Sequence, residues 1–319
     1  MSSPQRVLLT GATGHVGGRL FKHLVSLSNA SIRVTIRSTP VLPDWATSTD
    51  VVVGDLSDSS VRRASLHGVD TVVHLATRGF SAAIGPTESD LLEERNTAKA
   101  LIREALVAGV SQFIFLSSIH VYGNSLVGLV TDETPPAPNT TYAKSRQHIE
   151  DDLFSLTTGT RTTVSVVRLT NSFGVPVFSR PETWNLLVHD LCRQVVQSSQ
   201  IVLRSDARTC RDIMSLRDVV EVLGHLIYRG QSQNEIVLLA SGRSMPIGEI
   251  AELVRESAKD LLGITASIKH SVNDEAVPPA FTLEPRKLRE AGVVIPDNRE
   301  AEIRDLLLLA QQEFGNTNP

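Results

Sequence analysis

Three glycines are spaced so that they can hold a diphosphate. Gly11, Gly14 and Gly17 lie in the run Gly11-Ala-Thr-Gly14-His-Val-Gly17-Gly18, directly after the apolar stretch Arg6–Thr10. In such a turn one glycine makes the tight reversal, one lets backbone approach a pyrophosphate, and one lets helix and strand pack closely. A helix opening there points its N-terminus at the phosphates. The chemistry implied is binding of a dinucleotide cofactor. Cofactor choice is read about 20 residues further on, where an acidic residue would bind the ribose 2′-hydroxyl of NAD. Arg37 stands at that distance from Gly17, Arg33 lies upstream, and no Asp or Glu separates them. A guanidinium pairs with a 2′-phosphate that a carboxylate would repel. The spacing therefore favours NADP over NAD.

Alternating strands and helices must position these residues. Residues 6–10 read as a strand, and Val16, Leu20, Leu24 and Leu27 follow at helical spacing. Further strands are expected at 32–36, 50–54, 69–75, 112–118 and 163–169, with helices at 58–67, 88–108 and 141–156. The strands are nearly continuous Val/Ile/Leu runs, as expected when helices cover both faces of a parallel sheet. The fold class expected is α/β, an open doubly wound parallel sheet. After about residue 170 the pattern loosens, and 171–183 is rich in Pro, Ser and Gly. A helix near 184–198, a strand at 200–203, a helix near 216–229, a buried strand at 235–239 and a closing helix at 298–313 follow. Residues 1–170 are expected to form the dinucleotide-binding domain, with 211–240 returning to the sheet. Residues 171–319 are expected to supply a smaller, discontinuous substrate-binding lobe.

The chain has 319 residues, 41% hydrophobic and 21% charged, the profile of a globular protein. With 31 Lys plus Arg against 35 Asp plus Glu, the net charge is −4, which disfavours nucleic-acid binding. No apolar run approaches the roughly 18 residues of a membrane span. The two cysteines, Cys192 and Cys210, lack zinc-site spacing and suit a reducing compartment. Residues 1–6 lead into the first strand without the apolar region of a secretion signal, so a cytoplasmic location is expected. The nine histidines are scattered without a metal-binding motif.

Several motifs in order resemble the extended short-chain dehydrogenase/reductase family, in its nucleotide-sugar epimerase/dehydratase branch. They are TGATGHVG at 10–17, GDL at 54–56, VVHLA at 72–76, Asn96, FIFLSSIHVYG at 113–123, YAKSR at 142–146, RLTNSFG at 168–174 and TCRDIMSLRDV at 209–219. The resemblance spans roughly residues 6–220 and implies a Rossmann-like fold. On the cofactor side it implies Gly11, Thr13, Gly14, His15, Val16 and Gly17 at the diphosphate. It further implies Asp55 and Leu56 beside the adenine, and Leu75, Ala76, Thr77, Asn96 and Ser117 along the cofactor. Ser118 matches the family's catalytic Ser/Thr and Tyr142 its catalytic tyrosine. The family's lysine four residues after that tyrosine is Arg146 here, so YxxxK reads YxxxR. Lys144 stands on another face of the helix, because i and i+2 do not align. Arginine supplies charge and ribose hydrogen bonds but no proton relay.

The resemblance also implies substrate contacts. Asn171 matches a residue that contacts the diphosphate or sugar, and Arg211 one that pairs with a nucleotide phosphate. Asp212 is expected to orient that region. An alternative for Arg211 is an internal ion pair with Asp212 or Asp218. The family's usual tyrosine in its YGP motif is Phe173, and the proline is displaced to Pro176. His120 stands where dehydratases and decarboxylases of the family carry an acidic residue. It either serves as a proton donor and acceptor near neutral pH or lines the pocket. Three functions are weighed. One is an epimerase that oxidises and re-reduces a sugar carbon of a nucleotide sugar. The second is an NADPH-dependent reductase of a keto sugar or similar carbonyl. The third is a cofactor-binding sensor without turnover. The family also implies a homodimer through the helices at 88–108 and 141–156.

Overall fold

A computed structural model describes residues 5–27, 31–38, 43–47, 49–77, 87–229, 234–270 and 279–315. Residues 1–4 of the N-terminal segment read above lie outside the described residues. Seven strands form one sheet: β1 (Arg6–Thr10), β2 (Ser31–Ile36), β3 (Asp50–Val53), β4 (Thr71–His74), β5 (Gln112–Ser118), β6 (Thr163–Leu169) and β7 (Glu235–Leu239). Their order is β7-β6-β5-β4-β1-β2-β3. The pairs from β6 through β3 are all parallel. Strand order reverses between β4 and β1, the switch point at which such sheets open a crevice for ligands. Central strands bury both faces, as Val7, Leu8, Leu9, Phe113, Ile114 and Phe115 show. The strands expected at 50–54 and 69–75 are shorter, because the ladder with their neighbours ends at Val53 and runs only from Thr71 to His74.

Helices flank the sheet: α1 (His15–Ser26), α2 (Ser59–Leu66), α3 (Glu88–Ala108) and α4 (Thr141–Thr157). Side-chain caps set three of these starts, Asp58 accepting from the Ser60 amide at the head of α2. Thr87 and Asp90 close a capping box at the head of α3, and Thr140 accepts from the Ala143 amide at the head of α4. α3 and α4 are tied together by Asp152, which pairs with Arg95 at 2.6 Å and Lys99 at 3.1 Å. Leu101, Ile102, Phe113, Phe115, Ile149 and Leu153 share one apolar core.

The chain divides into two compact units. The first comprises 1–124, 133–169 and 220–237, and the second 125–132, 170–219 and 238–319. In the second, α5 (Leu187–Ser198), α7 (Ile247–Leu262) and α9 (Arg299–Phe314) enclose a core of Leu191, Cys192, Ile250, Val254, Ile303 and Leu307. Two further helices are α6 (Leu216–Tyr228) and α8 (Arg286–Glu290). The helix expected near 184–198 begins later. Pro181–Asn185 forms a separate 3₁₀ turn, and Leu186 is extended. Trp184 fixes that turn by donating from Nε1 to Glu313 Oε2 at 2.8 Å and packing edge-on against Phe314. Among the described residues no helix is long and apolar enough to cross a membrane, and no cluster of His, Cys, Asp and Glu is arranged to hold a metal ion.

Two histidines are buried where a charge is unfavourable. His74 on β4 stacks near Phe115, with Nδ1 2.8 Å from Thr10 Oγ1. Burial, followed by the positive charge of Arg146, lowers its pKa from 6.5 to about 3. Burial lowers His189 in the second unit to about 4, opposed by its bond to the Gly174 carbonyl. Both folded values lie below the unfolded value. The unfolded chain therefore binds protons that the folded chain excludes, and stability falls as pH drops from 6.5 towards 4. Each group adds a slope of about 1.4 kcal/mol per pH unit in that window. His74→Asn should reduce the pH dependence of urea unfolding by about one proton between roughly pH 6 and 4.5; an unchanged slope contradicts a neutral, buried His74.

Candidate active site

Because β1, β2, β3, β4 and β5 run parallel, the residues that follow each strand emerge at one edge of the sheet. After β1, Gly11 adopts φ 76°. A β-carbon there would stand 2.7 Å from the Ala76 amide nitrogen, and one on Gly17 would stand 2.0 Å from Gly11 O. Neither position admits a side chain. The Gly14 amide donates to Gly11 O at 2.8 Å and closes the turn. Gly14 then starts α1 with no side-chain cap and no acidic residue in the first turn. A helix end with no carboxylate of its own fits an anionic diphosphate. Thr13, His15 and Val16 lie half-buried around this turn.

The other cofactor-side residues follow in strand order. After β2, Arg37 is exposed and has no carboxylate partner among the described residues. Arg33, by contrast, is a structural residue. It pairs with Asp50 at 2.7 Å and donates to the carbonyls of Ala64, Ser65 and His67. After β3, exposed Asp55 accepts from the Ser57 amide at 2.8 Å, while Leu56 is buried. After β4, Leu75 and Ala76 are half-buried and Thr77 is exposed. The Ala76 amide donates to Thr10 Oγ1 at 3.3 Å. Asn96 is exposed on α3.

At the end of β5, Ser118 leaves the sheet and caps a 3₁₀ turn over Ile119–Tyr122, accepting from the His120 amide at 3.3 Å. His120 is exposed, and its ring lies edge-on to the Tyr142 ring with centroids 6.4 Å apart. Tyr142, Arg146 and Glu150 recur every four residues along α4 and so share one helix face. The Arg146 guanidinium carbon sits 5.1 Å from the Tyr142 ring centroid and 5.6 Å from that of Phe115. Its Nη2 lies 2.6 Å from Glu94 Oε1. Burial works to discharge Arg146, but Tyr142, then Glu94 and Glu150, outweigh it and raise its pKa. Behind this group, Ser117 donates to Glu150, and Arg168 pairs with Glu150 at 2.6 Å while lying over the Tyr122 ring at 4.7 Å. Lys144 is exposed, away from this face.

Glu94, Glu150 and Arg168 were not singled out from sequence. For Glu94 a signal exists. Leu91, Glu94, Ala98, Leu101 and Ala105 make one buried stripe at helical spacing, and a carboxylate on an apolar stripe demands a partner.

In the second unit, Asn171 lies on the short strand Asn171–Phe173, parallel to Ile213–Ser215. Its Nδ2 donates to Asp212 O at 3.0 Å. Arg211 is half-buried and donates from Nη1 to Cys210 O at 2.9 Å; it pairs with neither Asp212 nor Asp218. The Asp212 carboxylate instead accepts from the Ser241 amide and hydroxyl and from the Arg243 amide. Asp218 is bound to Ser215 and Asn298. Phe173 is buried in the core of this unit.

A model of the NAD dependent epimerase/dehydratase family matches residues 7–240. The chain belongs to this family. A UDP-glucose 4-epimerase of Vibrio cholerae is 29% identical over 260 residues, covering 80% of this chain and 75% of the relative. A dTDP-glucose 4,6-dehydratase of Streptomyces niveus is 23% identical over 278 residues, 79% of this chain and 77% of the relative. The UDP-glucose 4-epimerase of Thermus thermophilus, solved in complex with NAD, shares the fold with a TM-score of 0.78 at 18% identity, covering 96% of this chain and 99% of that one. In this epimerase/dehydratase family member the glycine turn is under the tightest steric limit. Gly17→Ala forces a methyl group into the Gly11 carbonyl, so cofactor affinity should fall at least tenfold and the melting temperature should drop. Native-like binding by titration calorimetry would refute the assigned turn.

Proposed function

We propose that this family member acts on a nucleotide-diphosphate sugar as an epimerase, inverting one carbon by transient oxidation and re-reduction. The observation that carries this reading is the group formed by Ser118, His120, Tyr142 and Arg146 at the edge of the sheet onto which the glycine turn also opens. The similarity to the Vibrio cholerae UDP-glucose 4-epimerase supports it. So does the absence of an acidic side chain at positions 119 and 120, where Ile and His stand.

A bound nicotinamide dinucleotide would supply the reversible hydride acceptor. The residues proposed to hold it are Gly11, Thr13, Gly14, His15, Val16 and Gly17 at the diphosphate, Asp55 and Leu56 at the adenine, and Leu75, Ala76, Thr77, Asn96, Ser117 and Arg146 further along. Tyr142 takes the proton of the reacting sugar hydroxyl and later returns it. Ser118 hydrogen-bonds that oxygen. Arg146 keeps a permanent positive charge beside the phenol from which the proton leaves and to which it returns. Asn171 and Arg211 contact the sugar and its diphosphate, where a guanidinium fork suits phosphate oxygens.

Proton balance favours this cycle over a reductase. Epimerisation returns every proton it borrows, whereas reduction of a carbonyl consumes one per turnover. A lysine can pass a proton inward, but Arg146 stays protonated and can only hold charge. With UDP-hexoses, the purified protein should form the epimer by NMR with no net absorbance change at 340 nm. Tyr142→Phe should lower kcat by about 100- to 1,000-fold with little change in KM. Unchanged turnover in that variant would overturn the assignment.

One observation supports the alternative NADPH-dependent reductase. Exposed Arg37 stands after β2 without a carboxylate partner among the described residues, available to a 2′-phosphate. We infer a preference for NADP on this ground. Arg37→Glu should weaken NADP binding by at least about tenfold while NAD binding is held or improved. Equal or tighter NAD binding by the unaltered protein would remove the preference.

A further inference from the structure

Glu94 lies where packing alone would place an apolar side chain. It belongs to the buried stripe of α3, and its side chain is 5% exposed. Its charge partner is Arg146, itself 3% exposed, at 2.6 Å. Breaking such a buried pair leaves an uncompensated charge. The guanidinium meanwhile lies over the rings of Tyr142 and Phe115. It therefore does two things at once: its Nη2 meets the Glu94 carboxylate while its central carbon lies 5.1 Å from the centroid of the Tyr142 ring. A lysine ammonium is a single point of charge on a flexible stem and can do one of these, not both. Neither Glu94 oxygen nor Arg146 Nη1 completes an in-line hydrogen bond.

We propose that Glu94 is a positioning residue that makes arginine, rather than lysine, the working partner of Tyr142 in this chain. The proposal rests on the reading of Tyr142 as the acid–base group. Glu94 acts through Arg146: it fixes the plane of the guanidinium and partly neutralises it. The groups that face this site are Arg146 and Glu150 on α4, Glu94 on α3, His120 after β5, His74 on β4 and Arg168 on β6. Arg168 is committed to Glu150, and His74 is neutral. Removing the Glu94 charge therefore leaves more positive potential at Tyr142, which favours phenolate.

The test is a spectrophotometric titration of phenolate near 295 nm. The chain has three tyrosines, so Tyr142→Phe identifies the contribution of Tyr142 by difference. Glu94→Gln should move that midpoint down, and the acid limb of kcat/KM should move with it. Glu94→Asp keeps the charge and should restore the native midpoint. Arg146→Lys should lower kcat at least tenfold with the sugar KM within a few-fold. An unmoved midpoint in Glu94→Gln, a Glu94→Asp midpoint equal to that of Glu94→Gln, or native kcat in Arg146→Lys would each overturn the proposal. Should Glu94→Gln fail to fold, the Arg146→Lys arm still decides, a fall in kcat supporting the proposal and native kcat overturning it. The titration needs no substrate, so failure to turn over any nucleotide sugar would count against the epimerase reading and not against Glu94.

Discussion

Two guanidinium groups and two carboxylates lie inside the first unit, each side chain no more than 5% exposed. None of them could remain charged there alone. Arg146 needs Glu94 from α3, and Arg168 on β6 needs Glu150 from α4. Ser117 on β5 donates to the same Glu150. Four elements are thereby held in one register. A one-turn slip of α4 would carry its charges about 5.4 Å from their partners. The demand for charge compensation and the orientation of Tyr142 are therefore one constraint, because the tyrosine rides on the helix whose next two turns carry Arg146 and Glu150.

That constraint also explains what could be read in advance. β1, β5 and β6 are buried on both faces, so their sequences are apolar runs, and 6–10, 112–118 and 163–169 were readable to the residue. The ends of those strands located Ser118 and the glycine turn. The start of α5 was not readable, because the turn before it is fixed by Trp184 bonding Glu313, 129 residues away. Short strands such as Cys210–Arg211 and Met245–Pro246 pair only with each other and have too few residues to show a period. Glu94 was hidden for a different reason. In Leu-Leu-Glu-Glu-Arg-Asn three charges in succession look like a solvated surface, and only the stripe from Leu91 to Ala105 marks one of them as buried. Composition treats all glutamates alike; helical phase does not.

The same reasoning sorts the arginines by what they are free to do. Arg33, Arg62, Arg146 and Arg168 are buried, and each is paired with a carboxylate. Drawing Arg146 or Arg168 onto a ligand phosphate would strand a buried carboxylate, at a cost that buried pairs set at several kcal/mol. Arg37 and Arg211 stand differently. Among the described residues neither forms an ion pair, and Arg211 holds only the carbonyl of Cys210. A phosphate can recruit such cations by displacing water alone. The net charge of −4 thus says little about anion binding in this chain. What matters is that the buried arginines are already committed, so an anionic ligand is met by cations outside those pairs, Arg37 and Arg211 among them.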